Sequence, residues 1–599
     1  MQRHPFKAAL CAAAFALMSH ATGAGAATGP VTGFIVQLRS DAAPAAPAAQ
    51  TAQTAQATTT ATPEQRRQRL QAVLGEQRAP LRLGAAVSGD WHRVAADTPL
   101  GEEAARTMAA RLRADPRIAA VVPDVREQRL DVTANDPRFN DQWWLRAVAA
   151  GNTGAAGFTA AWMRNTGAAS PVAVAVLDSG ITSHPELNSR LLPGWDFVSD
   201  PVYANDGGGR DADSADPGDA ITAAQRSANP AAFKDCPAAE RSSWHGSTIA
   251  GQLAAVSDNG AGVAAAHWGG LVIPVRVAGQ CGAALSDIID GMRWAAGLEV
   301  AGAPTNPNPA RIIVLSYGGS DPCDAASSDA SVAATARLYI DTLAEVRDAG
   351  ALVVVAAGNQ RRAVGRPASC SGAFAVASLN REGYKATYSS FGPEIALATP
   401  GGDGNTGGTC DAQLADSGLV STGNLGNTTP GAAGYVAASG TSFAAPAVAA
   451  AAALMLSVNP ALDVAQLVDG LRRSARPHVD VPLLGACSLA DNRARCACTT
   501  GTCGAGMLDA DQALRFAASP ATYTAPLTTA PTLADARIRA CAVLMGRPVP
   551  VDPVPVPEPL PPAAGGGGGG AMSAPWVLLL AVAGLALWRG GRPGRISPE

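Results

Sequence analysis

The sequence is short of lysine, histidine and net charge, and each shortage narrows the function. Only three lysines, Lys7, Lys234 and Lys385, occur among 45 basic residues, an arginine bias that is compositional and carries no function of its own. Those 45 face 49 acidic side chains over 599 residues, for a net charge of −4, so neither a nucleic-acid nor a strongly acidic partner is indicated. Seven histidines, His4, His20, His92, His184, His245, His267 and His478, are few enough for an exhaustive search for a catalytic base.

The two ends read as address labels. Arg3, His4 and Lys7 precede an apolar run from Ala8 to Met18, and small residues follow at Ala24 to Ala27. That run is shorter than the ~20 residues a bilayer span needs, which favours a secretory signal peptide over residues 1–27; the alternative is an uncleaved anchor. At the other end a Pro-Val segment, Val549 to Pro562, precedes Gly565 to Gly570, an apolar stretch from Ala571 to Trp588, and Arg589, Arg592 and Arg595. The stretch spans roughly 27 Å as a helix. Its arginines belong on the cytoplasmic side, leaving the main body outside. This tail resembles bacterial sorting signals clipped by an intramembrane protease, a potential partner; a permanent anchor is the alternative. Removing the signal peptide removes Cys11 and leaves ten cysteines, an even number that in an exported chain points to disulfides. Cys487, Cys496, Cys498 and Cys503 are also a candidate metal cluster, but no histidine joins them.

Between the ends two styles of sequence follow one another. Gly33 to Leu38 alternates as a strand, Glu102 to Ala114 has helical spacing and Val121 to Asp124 reads as a short strand: a small α+β module over 28–134, interrupted by a low-complexity insert at 42–62. From Asn135 short apolar strands, Val172 to Leu177, Leu271 to Val277, Arg311 to Leu315 and Leu352 to Ala356, alternate with helical patterns at Ser286 to Ala296 and Val332 to Ala349. The expected class is α/β, a parallel sheet with helices on both faces over 135–520. A C-terminal extension and Pro/Gly-rich linker (521–570) and the tail (571–599) complete the chain.

In such sheets chemistry gathers at the carboxyl ends of the strands. Ser439-Gly440-Thr441-Ser442-Phe443-Ala444-Ala445-Pro446 opens a run of small apolar residues that reads as a helix. Ser442 in its first turn is either an N-cap or a nucleophile whose own N–H doubles as an oxyanion donor. A nucleophile needs a base and an orienting acid. Of the histidines beyond the first module, only His245, before Gly246-Ser247-Thr248, stands at a glycine-flanked entry to a helix. Asp178 ends the apolar strand from Val172, and Asn359 ends that from Val353, offering an acid and a side-chain amide donor; each is alternatively a turn former.

The motifs Ala175-Val176-Leu177-Asp178-Ser179-Gly180, Trp244-His245-Gly246-Ser247, Ala356-Ala357-Gly358-Asn359 and Ser439 to Pro446 together resemble the subtilisin-like serine proteases over about residues 135 to 515. The resemblance implies a subtilisin-like sheet, a triad of Asp178, His245 and Ser442, and an oxyanion hole of Asn359 and the Ser442 N–H. It implies no cofactor for catalysis and protein or peptide substrates. It also implies a substrate-binding edge at Leu315-Ser316-Tyr317-Gly318, with Gly318 and Gly358 leaving room for the P1 side chain, and disulfides Cys236 to Cys281 and Cys323 to Cys370. The first module resembles the family's inhibitory propeptide, a chaperone removed by self-cleavage near Thr133 to Asn135. Ser247 and Thr248 depart from the Gly-Thr-His usual in the family, and Gln360-Arg361-Arg362 from the small residue that commonly follows the asparagine.

Asp206, Asp211, Asp213, Asp216 and Asp219 crowd a glycine-rich loop, a candidate structural Ca²⁺ site or a solvated acidic loop. The non-enzymatic alternative is an inactive fold of this class serving as a surface-bound binding or adhesion module. A lipase or esterase is disfavoured, because no Gly-x-Ser-x-Gly elbow surrounds Ser442 and the triad order would differ.

Overall fold

The computed structural model describes residues 31–39, 62–77, 80–87, 91–124, 132–237, 239–404, 408–491 and 494–549. The signal peptide, nearly all of the 42–62 insert, and the glycine run and apolar tail lie outside them. The chain divides into two compact units, meeting at Leu130 and Asp131.

In the first unit β1 (Val31–Leu38), β2 (Leu81–Ala86), β3 (Trp91–Leu100) and β4 (Ile118–Pro123) form an antiparallel sheet in the order β2-β3-β1-β4. Phe34, Val36 and Leu38 alternate inward along β1. They share a core with Leu70 and Val73 of α1 (Pro63–Glu76) and with Ala105, Ala109 and Leu112 of α2 (Glu102–Arg113). Sequence patterning had not indicated α1 or the β2–β3 pair. The signal for α1 was present: Thr62 accepts the Gln65 N–H, the Gln65 amide oxygen accepts the Thr62 N–H, and Pro63 occupies the first turn. Thr62 thus caps a helix rather than closing the low-complexity insert.

The second unit is built on seven parallel strands. In chain order these are β5 (Ala173–Asp178), β6 (Trp195–Asp196), β7 (Leu271–Arg276), β8 (Ile312–Leu315), β9 (Leu352–Ala356), β10 (Phe374–Leu379) and β11 (Ile395–Pro400), and across the sheet they run β11-β10-β9-β8-β5-β7-β6. Both faces are covered. Val174, Val176, Val314 and Val354 face α3 (His245–Ala254) and α6 (Thr441–Val458). The intervening Ala175, Leu177, Ile313, Leu315, Val353 and Val355 face α4 (Leu285–Ala295) and α5 (Ala330–Asp348). This double burial explains the unbroken apolar runs of the sequence.

The register sets the site. Leu315 of β8 is paired with Leu177 of β5 on one side and Val355 of β9 on the other. Asp178, Ser316 and Ala356 therefore leave the sheet at one level. Beneath them lies α6, buried from Thr441 to Leu456. Among the described residues it is the one helix long and apolar enough to cross a membrane, yet 94% of it is inside this unit. Its alanines let the helix lie close against the strands, which a run of large side chains would prevent.

All ten cysteines other than Cys11 are paired: Cys236–Cys281, Cys323–Cys370, Cys410–Cys541, Cys487–Cys496 and Cys498–Cys503. The sulfurs of Cys487, Cys498 and Cys503 lie within 4.8 Å of one another, but as members of two adjacent disulfides they offer no thiolate to a metal. Cys410–Cys541 closes a separation of 131 residues and Cys498–Cys503 one of 5. On loop-closure entropy, opening the first by a Cys410→Ser, Cys541→Ser pair costs about 5 kcal/mol and opening the second by Cys498→Ser, Cys503→Ser about 2 kcal/mol. Denaturant unfolding of the two double variants checks this ranking, and equal losses would contradict it.

Candidate active site

Asp178, the last residue of β5, is 1% exposed. A buried carboxylate needs hydrogen bonds to offset its desolvation. Asp178 Oδ1 accepts the Ser179 N–H at 2.8 Å, and His245 Nδ1 lies 2.8 and 2.9 Å from its two oxygens. With Nδ1–H donated to a carboxylate, the Nε2 lone pair is left to face away.

His245 begins α3, and two local features bring it there. Trp244 before it takes a left-handed conformation, φ 50°, with its indole N–H bonded to the Gly426 carbonyl. Gly246 after it has no room for a side chain: a Cβ there would stand 2.2 Å from the Gly180 carbonyl oxygen and 3.2 Å from Asp178 Cβ. Ser247, one of the residues departing from the family pattern, is fully buried, and its hydroxyl accepts the Thr182 N–H at 2.8 Å, tying α3 to the loop after Asp178. Of the four histidines considered in this unit, His245 alone meets a carboxylate. His184 and His478 bond backbone carbonyls, and His267 bonds the Ser457 hydroxyl. Burial pushes the His267 pKa down to about 4. At His245 burial also works downward, but the charge and hydrogen bond of Asp178, with the charges of Asp219 and Asp216, leave its pKa above the usual histidine value.

Ser442 lies in the first turn of α6 and is 6% exposed. The Phe443 N–H bonds the Gly440 carbonyl, while the Ser442 N–H has no partner among the described residues. The Thr441 N–H is capped from another strand: it donates to Asn359 Oδ1 at 2.9 Å, and the Thr441 hydroxyl donates to the same oxygen at 2.9 Å. An N–H must face an oxygen, so these bonds fix the Asn359 amide. Its Nδ2 lies 3.5 Å from the Cβ position of Gly440, beside the serine. Thr441, whose hydroxyl also accepts the Gly358 N–H, is a positioning residue that sequence reasoning missed. So is Gln252, whose buried amide donates to the Phe443 carbonyl and links the histidine helix to the serine helix. The His245 ring lies 5.2 Å from that of Phe443, centroid to centroid. No hydrogen bond joins His245 to Ser442 among the described residues; in substrate-free sites such bonds are commonly long and tighten with the reacting group in place.

Beside Ser442 opens a cavity of about 230 Å³ lined by Ser316, Tyr317, Gly318, Gly358 and Asn359 among others. Leu315 does not join them. As the last residue of β8 it buries its side chain in the core with 0% exposure.

The five loop aspartates do not form a cage. Asp206 pairs with Arg276, Asp211 and Asp213 accept N–H groups of their own loop, Asp216 accepts the Ser179 hydroxyl and Gly218 N–H, and Asp219 accepts the Ser243 N–H and hydroxyl. Among the described residues no three carboxylates converge within 4.8 Å. The loop's acids serve its turns, one ion pair and the site instead, and burial pushes Asp216 up to about 7. A less committed group lies elsewhere. Asp136 is buried with Oδ1 unpartnered, and burial raises the pKa of both it and Glu186. Asp258 donates its N–H to Asp136, and the Asn259 amide donates to Glu186.

Residues 169–506 match the model of the Subtilase family. An extracellular protease of Xanthomonas campestris pv. campestris is 40% identical over 427 residues, covering 71% of this chain and 64% of its own length. An extracellular basic protease of Dichelobacter nodosus is 36% identical over 346 residues, covering 56% of this chain and 51% of its own. The chain thus spans between half and two-thirds of these relatives. A solved structure titled as proteases from Pseudoalteromonas arctica PAMC 21717 is 39% identical, with a TM-score of 0.53, and covers 64% of this chain and 100% of that one.

The charges around His245 make a test independent of turnover. In an NMR titration the His245 imidazole titrates above the ordinary value near 6.5 in the wild type and at lower pH in Asp219→Asn, because removing a negative charge destabilises the imidazolium. A midpoint at or below 6.5 that the substitution leaves in place would contradict the electrostatics.

Proposed function

The chain belongs to the Subtilase family, and from that membership we propose that it is a secreted serine endopeptidase acting on proteins or peptides through an acyl-enzyme on Ser442. The observation that carries this reading is the Asp178–His245 hydrogen bond at the end of β5, with the His245 ring 5.2 Å from that of Phe443, the residue after Ser442. His245 Nε2 takes the Ser442 proton as Oγ attacks the scissile carbonyl, and Asp178 stabilises the imidazolium that forms. The tetrahedral oxyanion accepts from Asn359 Nδ2, aimed by Thr441, and from the Ser442 N–H. His245 then protonates the departing amine, and water, deprotonated by the same imidazole, releases the acid. Because the base must be neutral and its pKa is raised, activity rises on the alkaline side of the ordinary histidine titration and persists at higher pH.

The reading extends to a precursor. Residues 1–27 direct export, 28–134 fold as an inhibitory propeptide removed by self-cleavage near Thr133 to Asn135, 135–520 form the protease, and 521–570 lead to a tail at 571–599 that anchors the chain or is clipped by a sorting protease. Support comes from the division of contacts at Leu130 and Asp131 and from the extracellular proteases among its relatives.

Ser442→Ala tests the core reading. It loses casein hydrolysis by about 10⁴-fold or more, the scale seen for triad members in well-studied serine proteases, subtilisins included, and by mass the precursor stays uncut. A variant that cuts casein and matures as wild type does would overturn the proposal.

A further inference from the structure

The cavity beside Ser442 is unusual in the polar groups it presents. Its lining holds two arginines, Arg362 and Arg366, and no aspartate or glutamate. Arg366 is already matched: its guanidinium pairs with Asp321 and lies over Gly319 as part of the wall. Arg362 is exposed, and no ion pair or side-chain hydrogen bond engages it among the described residues. Arg361 next to it turns to a different cavity, beside Arg495 and the Cys410–Cys541 bridge, so the two arginines of the motif have separate settings.

The uncharged groups point the same way. Gln360 Oε1 accepts the Asn359 N–H at 3.1 Å. That bond turns the amide oxygen toward Asn359 and leaves the NH₂ donors without a partner among the described residues. Ser316 Oγ, on the opposite wall, is buried and has no hydrogen-bond partner. The side chains that line the cavity therefore offer an unpaired guanidinium, an amide NH₂ and an unpartnered hydroxyl, and no carboxylate. The walls are also held apart at a set spacing, because Cys323–Cys370 and the Arg366–Asp321 pair join the loop after β8 to the loop after β9.

We infer that this cavity is an S1 subsite selecting an acidic P1 side chain. A carboxylate is acceptor-only when ionised and meets three kinds of donor there, Arg362 supplying the charge. A lysine or arginine at P1 would bring a like charge to a site with no carboxylate to receive it. The inference rests on the protease reading and specifies its substrate: proteins cut after glutamate or aspartate.

The test uses the mature enzyme and matched peptides that differ only at P1, carrying Glu, Asp, Gln, Leu or Lys. At low ionic strength kcat/KM for an acidic P1 exceeds that for Lys by about tenfold or more, and added salt narrows the gap. Arg362→Gln reduces the acidic-to-Lys ratio and Arg362→Glu inverts it. Equal wild-type cleavage after Glu and Lys, or a ratio that Arg362→Glu leaves in place, would overturn the inference. Casein hydrolysis by the same wild-type preparation separates the two failures: casein cut without the P1 preference removes this inference alone, whereas no casein cleavage removes the protease reading beneath it.

Discussion

The hydrogen bond between the His245 imidazole and the Asp178 carboxylate is the interaction on which the rest of the site depends. A carboxylate at the dry end of a buried strand is costly unless donors meet it, and Asp178 is met by two, the Ser179 N–H and the imidazole. In meeting it, the imidazole is fixed in one tautomer and one orientation. The sheet supplies the remaining geometry. Because β5, β8 and β9 are in step at Leu177, Leu315 and Val355, Asp178, Ser316 and the strand leading to Asn359 emerge along one line.

Bringing two helix N-termini to that line requires small residues. Gly246 lets α3 touch the turn after Asp178, and the alanines of α6 let it lie close beneath the strands. The donors left over at the start of α6 are then divided. Thr441 spends its N–H and hydroxyl on Asn359, which aims that amide, and the Ser442 N–H is left without a partner among the described residues. In the proposed mechanism that amide and this N–H of the helix terminus meet the oxyanion.

Much of this was legible because the chemistry demands particular residue types at strand ends and helix starts. Asp178, His245, Asn359 and Ser442 stand in such places, and the two-sided burial of the sheet shows in the apolar runs of β5, β7, β8 and β9. β10 and β11 carry similar runs but were not read, though their strand-like stretches from Phe374 and Ile395 are of the same kind. Thr441 and Gln252 escaped notice because their roles depend on residues more than 80 positions away, a proximity that no local pattern records. The same holds for Cys410–Cys541. The glycine-rich acidic loop misled for a related reason: composition counts carboxylates, whereas the fold had already assigned each to Arg276, to a serine or to a backbone N–H.

The central claim is that Asp178, His245 and Ser442 act as one nucleophilic unit. Labelling the mature protein with a fluorophosphonate and mapping the modified peptide by mass spectrometry addresses it directly. The account predicts a single adduct on Ser442 that is lost in His245→Ala. An adduct on another serine, or an adduct on Ser442 formed as readily without His245, would contradict it.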